Sequence, residues 1–318
     1  MSNNGTEAEP FACVGYIGGS ILDRLLARTD SSTFQITTLV RSEDKAGPLR
    51  SYNITPVIGS FDDLSLIENL AANADVVFDA ADADNLDATK AFLRGFKRRY
   101  QVTGKPSIFI HTSGTGLLSD NAAGMYATTK VWNDADADDL ETLPDKAPHR
   151  NVDLAIIDAD KEGFVQAYLV APSTIYGLAT GQLVKAGVAN NRSMQIPSLI
   201  RAALDRSRAG MIGEGLNIWP NVHIDDVADL YMSVYDAVTS NRNPGRGREG
   251  YYFGENGEHT LYDVATQIGN VLVRFRKSAS AIFGGMERDQ NLAATGIDFA
   301  RIQFKVQGEQ VKGDRLAP

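Results

Sequence analysis

Apolar positions along this chain fall into two rhythms, short solid runs and helical stripes. Ile21, Leu22, Leu25 and Leu26 recur at helical spacing directly after a glycine-bearing stretch at 12–20. Next comes the β-branched run 34–40, ending at Arg41, then a short strand at 55–58 and a helix over 62–72. Residues 74–81 read as a buried strand. The stripe of Ala88, Ala91, Phe92 and Phe96 predicts an amphipathic helix over 86–102, with Lys90, Lys97, Arg98 and Arg99 off the apolar face. A further strand at 107–112 runs into Ser113-Gly114-Thr115-Gly116. Strands alternating with helices at this spacing predict right-handed crossovers and an α/β fold built on a doubly wound parallel sheet.

The second half is more mixed. Residues 134–143 read as an acidic helix with few apolar anchors, and 152–159 as a stronger helix leading into a strand at 165–171. Ser193 is placed to cap a helix over 194–206, and Asn221-Val222-His223-Ile224-Asp225-Asp226-Val227 opens another. Thr260 and Asp263 form a capping-box-like start to a helix ending near Leu272. Beyond Arg274 the periodicity fades. With no internal repeat and no low-complexity linker, the two halves are expected to share one body.

One end resists this pattern. A nucleotide-binding turn should follow a buried strand, yet Thr6-Glu7-Ala8-Glu9-Pro10-Phe11 carries two glutamates and a proline that removes a ladder donor. Residues 1–10 are therefore expected to be loose and the first strand to be missing.

Composition narrows the function classes. A net charge of −9 and a pI near 5.0 argue against a nucleic-acid or anionic-membrane partner. The single cysteine, Cys13, excludes an internal disulfide framework and fits a reducing compartment. The first ten residues lack the basic start and apolar core of a secretory signal, and no apolar run reaches membrane-spanning length. A cytoplasmic protein acting on a small-molecule substrate is expected, with room for a homodimer.

Candidate chemistry starts at the glycines. Gly15, Gly18 and Gly19 sit where a loop becomes a helix, the place where backbone N–H groups and the positive end of the helix dipole hold a pyrophosphate. Against a G-x-x-G-x-x-G loop, Ala12 occupies the first position. The alternative is a turn that only lets a helix pack closely on a sheet. Gly15, Arg41, Ala81 and Ser113 all fall at carboxyl ends of predicted strands, where ligands of such sheets bind. His111, His149, His223 and His259 show no metal-ligand spacing, and the aspartates 134, 136, 138 and 139 lack the glycine and closing glutamate of a calcium loop. Ser113 lacks the G-x-S-x-G frame of a nucleophilic serine.

Five motifs in order carry a resemblance. Val14-Gly15-Tyr16-Ile17-Gly18-Gly19-Ser20, Ala80-Ala81, His111-Thr112-Ser113-Gly114, Pro172-Ser173-Thr174-Ile175-Tyr176-Gly177 and Val222-His223-Ile224-Asp225-Asp226-Val227-Ala228 resemble the NAD-dependent epimerase/dehydratase family. This is the extended and atypical branch of the short-chain dehydrogenase/reductases, and the chain looks most like fungal nucleoside-diphosphate-sugar epimerase-like members. The resemblance covers roughly 11–272. It implies a Rossmann-type domain over 11–177 and a small C-terminal substrate lobe over most of 178–318, with a segment near 221–240 returning to the Rossmann domain. The usual carboxyl-terminal end is not recognisable in 279–318.

The resemblance also implies a site. Gly15, Tyr16, Ile17, Gly18, Arg41, Ala80, Ala81 and Pro172 would bind the cofactor. An arginine closing the second strand suits the 2′-phosphate of NADP better than the ribose hydroxyls of NAD, although a solvated surface arginine is the plainer alternative. Ser113 would hold the substrate oxygen, Tyr126 would exchange its proton, and Lys130 would favour the phenolate. Tyr126-Ala127-Thr128-Thr129-Lys130 has the required Tyr-x-x-x-Lys spacing, which would place both side chains on one helix face. Against this, 128–132 is β-branched with no apolar stripe, and the helix feeding the sixth strand offers no tyrosine. A loop tyrosine near the pocket is the alternative. The activity implied is an NAD(P)-dependent oxidoreductase or epimerase/dehydratase acting on a carbon that bears a hydroxyl or carbonyl. Two other readings stand beside it: a catalytically silent dinucleotide-sensing regulator, like the nitrogen-metabolite repressors, and a paralogue that binds no cofactor.

Overall fold

Phe11 and Ala12 decide how the chain enters its sheet. They are wholly buried and point to opposite faces, Phe11 into one apolar core and Ala12 into the other. The computed structural model describes residues 10–275, 285–286 and 305–307, so most of the segment expected to be loose and most of 279–318 lie outside the described residues. Within it, β1 (Pro10–Cys13) pairs in parallel with strands on both sides, so the expectation of a missing first strand is corrected. Pro10 is tolerated because it is the first residue of the strand, where a missing ladder donor costs least.

Strands and helices then alternate. After α1 (Tyr16–Leu26) come β2 (Thr37–Val40), α2 (Glu43–Arg50), β3 (Thr55–Ile58) and α3 (Leu64–Ala72). They are followed by β4 (Val76–Asp79), α4 (Leu86–Thr103) and β5 (Ser107–Thr112). Beyond these lie β6 (Val131–Asn133), α5 (Ala137–Glu141), α6 (Arg150–Glu162), β7 (Val165–Pro172) and β8 (Thr174–Tyr176). The remainder contains α7 (Gln182–Lys185), α8 (Gln195–Asp205), β9 (Met211–Ile212), β10 (Ile218–His223), α9 (Ile224–Thr239), β11 (Tyr251–Gly254), β12 (Glu258–Thr260) and α10 (Leu261–Arg274). Two short strands close it, β13 (Gly285–Met286) and β14 (Lys305–Gln307).

The main sheet has seven strands in the order β11-β7-β5-β4-β1-β2-β3, and every pairing in it is parallel. The chain winds outward one way through β2 and β3 and the other way through β4, β5, β7 and β11. The strand order therefore reverses between β1 and β4, the switch point where such sheets open a crevice. Solid apolar runs such as Phe109-Ile110 supply residues to both faces, as a doubly covered sheet requires. Phe92, Phe96, Val152 and Ile156 of α4 and α6 fill one side with Phe109. Ile21, Leu22 and Leu25 of α1 meet Tyr231, Val234 and Tyr235 of α9 on the other. Arg24 ties α1 to Asp225 and Asp229 of α9 at 2.9 and 2.7 Å, and Arg28 reaches Asp236 at 2.6 Å.

A smaller apolar cluster of Leu199, Ala202, Ile212, Trp219 and Leu261 joins α8 and α10 beside the three-stranded sheet β12-β10-β8. The capping box at Thr260 is present, with both Thr260 and Asp263 engaged. Ser193 does not cap α8, whose N-cap is Met194 without a side-chain bond. The β-branched stretch near Val131 becomes β6, which pairs in parallel with β14.

Candidate functional site

The crevice at the switch point is bordered by the turn between β1 and α1, and only Val14 and Gly15 link the two elements. Ala12, expected in the first glycine position of a loop, is instead inside β1 and its carbonyl accepts the Thr38 hydroxyl at 2.5 Å. Gly15 is the N-cap of α1, with no side-chain cap and no acidic residue in the first turn. A Cβ built on Gly15 would meet nothing within 4 Å. The backbone N–H groups of the first turn thus face space that a ligand can enter, with the helix dipole behind them. Gly18 is buried in that turn, and Gly19 serves packing: its Cβ would fall 2.3 Å from that of Ala189.

Tyr16 and Ile17 turn their side chains inward. The Tyr16 ring packs with Ala179 and Ile224, and its hydroxyl points at the carbonyls of Tyr176 (3.1 Å) and Gly177 (2.9 Å). Burial, with the Asp225 charge second, pushes this phenol up to about 12. What these two residues offer a ligand is backbone, not side chain.

Three cations follow β2. Lys45 donates to the carbonyls of Gly187 and Val188, at 2.5 and 2.9 Å, and Arg50 pairs with Glu43. Arg41 is exposed at the carboxyl end of β2 and has no polar partner among the described residues. Ala80 and Ala81 follow β4 directly, and Pro172 ends β7. These positions fit the dinucleotide that the resemblance implies: small residues and free N–H groups line the crevice, and one free guanidinium stands at its far end.

Ser113 lies just past β5, only 3% exposed, and its hydroxyl donates to Asp153 of α6 at 2.8 Å. The Tyr251 hydroxyl donates to the same carboxylate oxygen at 3.0 Å and accepts from Arg150 at 2.8 Å. Burial pushes the Asp153 carboxyl up, against the opposing pull of His111 and of the two hydroxyls. Its second oxygen has no hydrogen-bond partner among the described residues. Beside it, His111 Nδ1 pairs with Asp79 at 2.9 Å, both fully buried, and Thr112 bonds to the Asp79 carbonyl and to Tyr231. A polar floor thus underlies the carboxyl ends of β4 and β5.

His149 stands above that floor, one helical turn before Asp153. It caps α6 in the left-handed conformation, φ 65°. Its Nδ1 lies 2.8 Å from Asp84, in the loop after β4. Its Nε2 edge lies over the glycines, where a Cβ on Gly114 or Gly116 would come within 3.0 or 3.1 Å. A side chain at either position would press on the imidazole and make it shift by a few tenths of an ångström. Burial is the largest single influence and lowers its pKa, but the bond and charge of Asp84 together with the charges of Asp153 and Asp82 outweigh it, and the net shift is upward.

Tyr126 and Lys130 are not on a helix. Both lie on the irregular segment before β6, where Tyr126 is 50% exposed. Lys130 pairs with Asp139 at 2.8 Å and sits 3.5 Å from the centre of the Trp132 ring. The structure thus brings Gly15, Arg41, Ala80 and Ala81 to one edge of the sheet and Ser113 beside them, while the ammonium of Lys130 is turned to α5. Sequence reasoning missed His149, Asp84 and Asp153. The available signal was an aspartate inside the apolar stripe of α6, four residues after a histidine.

The all-parallel order, with its reversal between β1 and β4 and the glycine turn at α1, defines a Rossmann-type α/β fold. No family model matches the chain. A curated relative, the oxidase ucsJ of an Acremonium species, is 32% identical over 276 residues, 81% of this chain and 76% of its own length. An uncharacterized protein of Schizosaccharomyces pombe is 27% identical over 241 residues, 71% of this chain and 69% of its own. Among solved structures, a dTDP-glucose 4,6-dehydratase of Streptomyces venezuelae with NAD bound superposes with a TM-score of 0.64 at 14% identity, covering 96% of this chain and 90% of that one. A UDP-glucuronic acid 4-epimerase of Bacillus cereus, also with NAD, gives 0.61 at 12% identity over 96% and 91%. The chain belongs to the same family as the oxidase ucsJ, and it shares the fold of the NAD-bound dehydratase and epimerase structures. No helix among the described residues is long and apolar enough to cross a membrane.

Proposed function

We propose that this chain is an NADP-dependent enzyme acting on a hydroxyl- or carbonyl-bearing carbon of a small molecule in the cytoplasm. The observation that carries the reading is the uncapped first turn of α1, open in front of Gly15, at the switch point of a parallel sheet. Gly15, Tyr16, Ile17 and Gly18 hold the pyrophosphate through backbone N–H groups, Ala80, Ala81 and Pro172 leave room for the rest, and Arg41 selects the 2′-phosphate. The NAD bound in the structural neighbours, together with the likeness to ucsJ, supports a nicotinamide dinucleotide. When bound, the nicotinamide supplies a hydride donor or acceptor. Of the candidate chemical residues Ser113, Tyr126 and Lys130, Ser113 lies at the end of β5 beside the crevice, while the Lys130 ammonium is held by Asp139. Titration of NADPH and NADH, followed by intrinsic fluorescence, tests the proposal: saturable quenching, tighter for NADPH, is expected, and none with either nucleotide overturns it.

One observation favours the second reading, a silent dinucleotide sensor. Ser113 is buried and its hydroxyl donates to Asp153, so its one donor is already engaged within the protein. Binding of NADPH with no turnover across aldehydes, ketones and nucleotide sugars would favour the sensor.

A further inference from the structure

We propose that His149, braced by Asp84, is the residue that exchanges a proton with the substrate oxygen; this rests on the dinucleotide reading above. Three features of this imidazole point the same way. A non-glycine residue held at φ 65° is uncommon and is kept where surrounding structure fixes it. Asp84 engages Nδ1, which fixes the ring orientation and leaves Nε2 as the end that can hand over a proton. Nε2 has no protein partner among the described residues, and it lies across the glycine loop that ends β5, at the crevice edge of the sheet.

The charged groups around the ring support the same role. Asp82 and Asp84 face it from the loop after β4, and Asp153 lies one turn along its own helix. His111 lies on β5 beneath Asp84, close enough to stabilise that carboxylate in its charged form. Three carboxylates against one half-buried imidazole keep His149 protonated to higher pH than a free histidine. In the direction of reduction the imidazolium gives its Nε2 proton to the carbonyl oxygen and becomes neutral, the hydride coming from the reduced nicotinamide nucleotide. In the direction of oxidation neutral Nε2 takes the hydroxyl proton, and the hydride on the same carbon passes to the oxidised nicotinamide nucleotide. Ser113 then has a positioning role: bonded to Asp153, it holds the start of α6, and with it His149, against the end of β5.

The test is histidine NMR on the whole chain, where His149→Asn identifies the His149 signal by its loss. Asparagine tolerates the left-handed conformation, so this variant keeps the backbone that other residues would strain. Without nucleotide, His149 is expected to titrate above 6.5 in the wild type and at lower pH in Asp84→Asn. Saturating NADP+ should move the His149 signal and leave that of His259, on β12, in place. His149→Asn should bind NADPH within about twofold of wild type and lose at least about a hundredfold in turnover on any aldehyde, ketone or nucleotide sugar that the wild type reduces. A His149 midpoint at or below 6.5, or one unmoved by Asp84→Asn, overturns the proposal. Saturable NADPH quenching with a silent His149 signal overturns it alone, whereas no quenching at all removes the dinucleotide reading together with it.

Discussion

The hydroxyl of Ser113 donates across 2.8 Å to Asp153, a carboxyl group with no solvent exposure, and Tyr251 shares the same oxygen. Removing the carboxyl strands both donors in the interior. Asp153→Ala is expected to cost about 2–4 kcal/mol, measured by urea unfolding. Asp153→Asn keeps an acceptor and cannot ionise, which adds a pH signature. Because burial raises the Asp153 pKa in the folded state, its stabilising contribution is complete below the unfolded value of about 4 and fades as pH rises through the folded value. Wild type should therefore lose stability relative to Asp153→Asn as pH climbs above about 4. A difference between the two that is flat with pH would place no raised pKa at this residue.

Gly15 separates fold from ligand. Its φ of −152° suits any residue, and its missing Cβ faces open space. Gly15→Val is expected to shift the melting temperature by no more than about 2 °C, in line with a surface change, while abolishing NADPH quenching. Undiminished quenching would remove the turn from the binding site.

Arg41 has no competing partner among the described residues, unlike Lys45 and Arg50. Arg41→Ala should weaken NADPH at least about tenfold and NADH hardly at all, since a charge-assisted bond to phosphate is worth roughly 1.5–3 kcal/mol. Added salt should narrow the wild-type preference. Equal losses for both nucleotides would show that Arg41 does not choose between them.

Gly19 makes the closest approach between α1 and the segment after α7. A Cβ there would meet the Ala189 methyl at 2.3 Å, so Gly19→Ala is expected to cost about 1–3 kcal/mol through overpacking. Ala189→Gly in the same chain should recover part of the loss. Independent, additive costs in the double variant would deny the contact.

Much of this architecture is legible in the apolar runs. Phe109-Ile110 and Val76-Val77-Phe78 announce doubly covered strands, and the stripe through Phe92 and Phe96 announces α4. β1 is hidden because it has only four residues and begins with Pro10; its identity comes from the neighbours β2 and β4 that accept it on both sides. β6 is hidden because its pairing partner lies far along the chain. In the site, the glycine turn and Arg41 are local signals, carried by a loop-to-helix junction and a strand end. The links from Ser113 to Asp153 and from Asp84 to His149 span 40 and 65 residues, and no periodicity encodes them. The helix that the Tyr-x-x-x-Lys spacing implies for Tyr126 and Lys130 is absent, because the β-branched residues there favour extended backbone.

The Tyr16 hydroxyl, anchored on the carbonyls of Tyr176 and Gly177, has a mechanical consequence. It clamps the first turn of α1 to the end of β8, so that these two pieces travel together. A swivel of the segment that follows must pivot beyond Gly177 or snap this clamp first. With the phenol pushed up to about 12, the clamp keeps its proton well above neutral pH, and deprotonation is not what would release it.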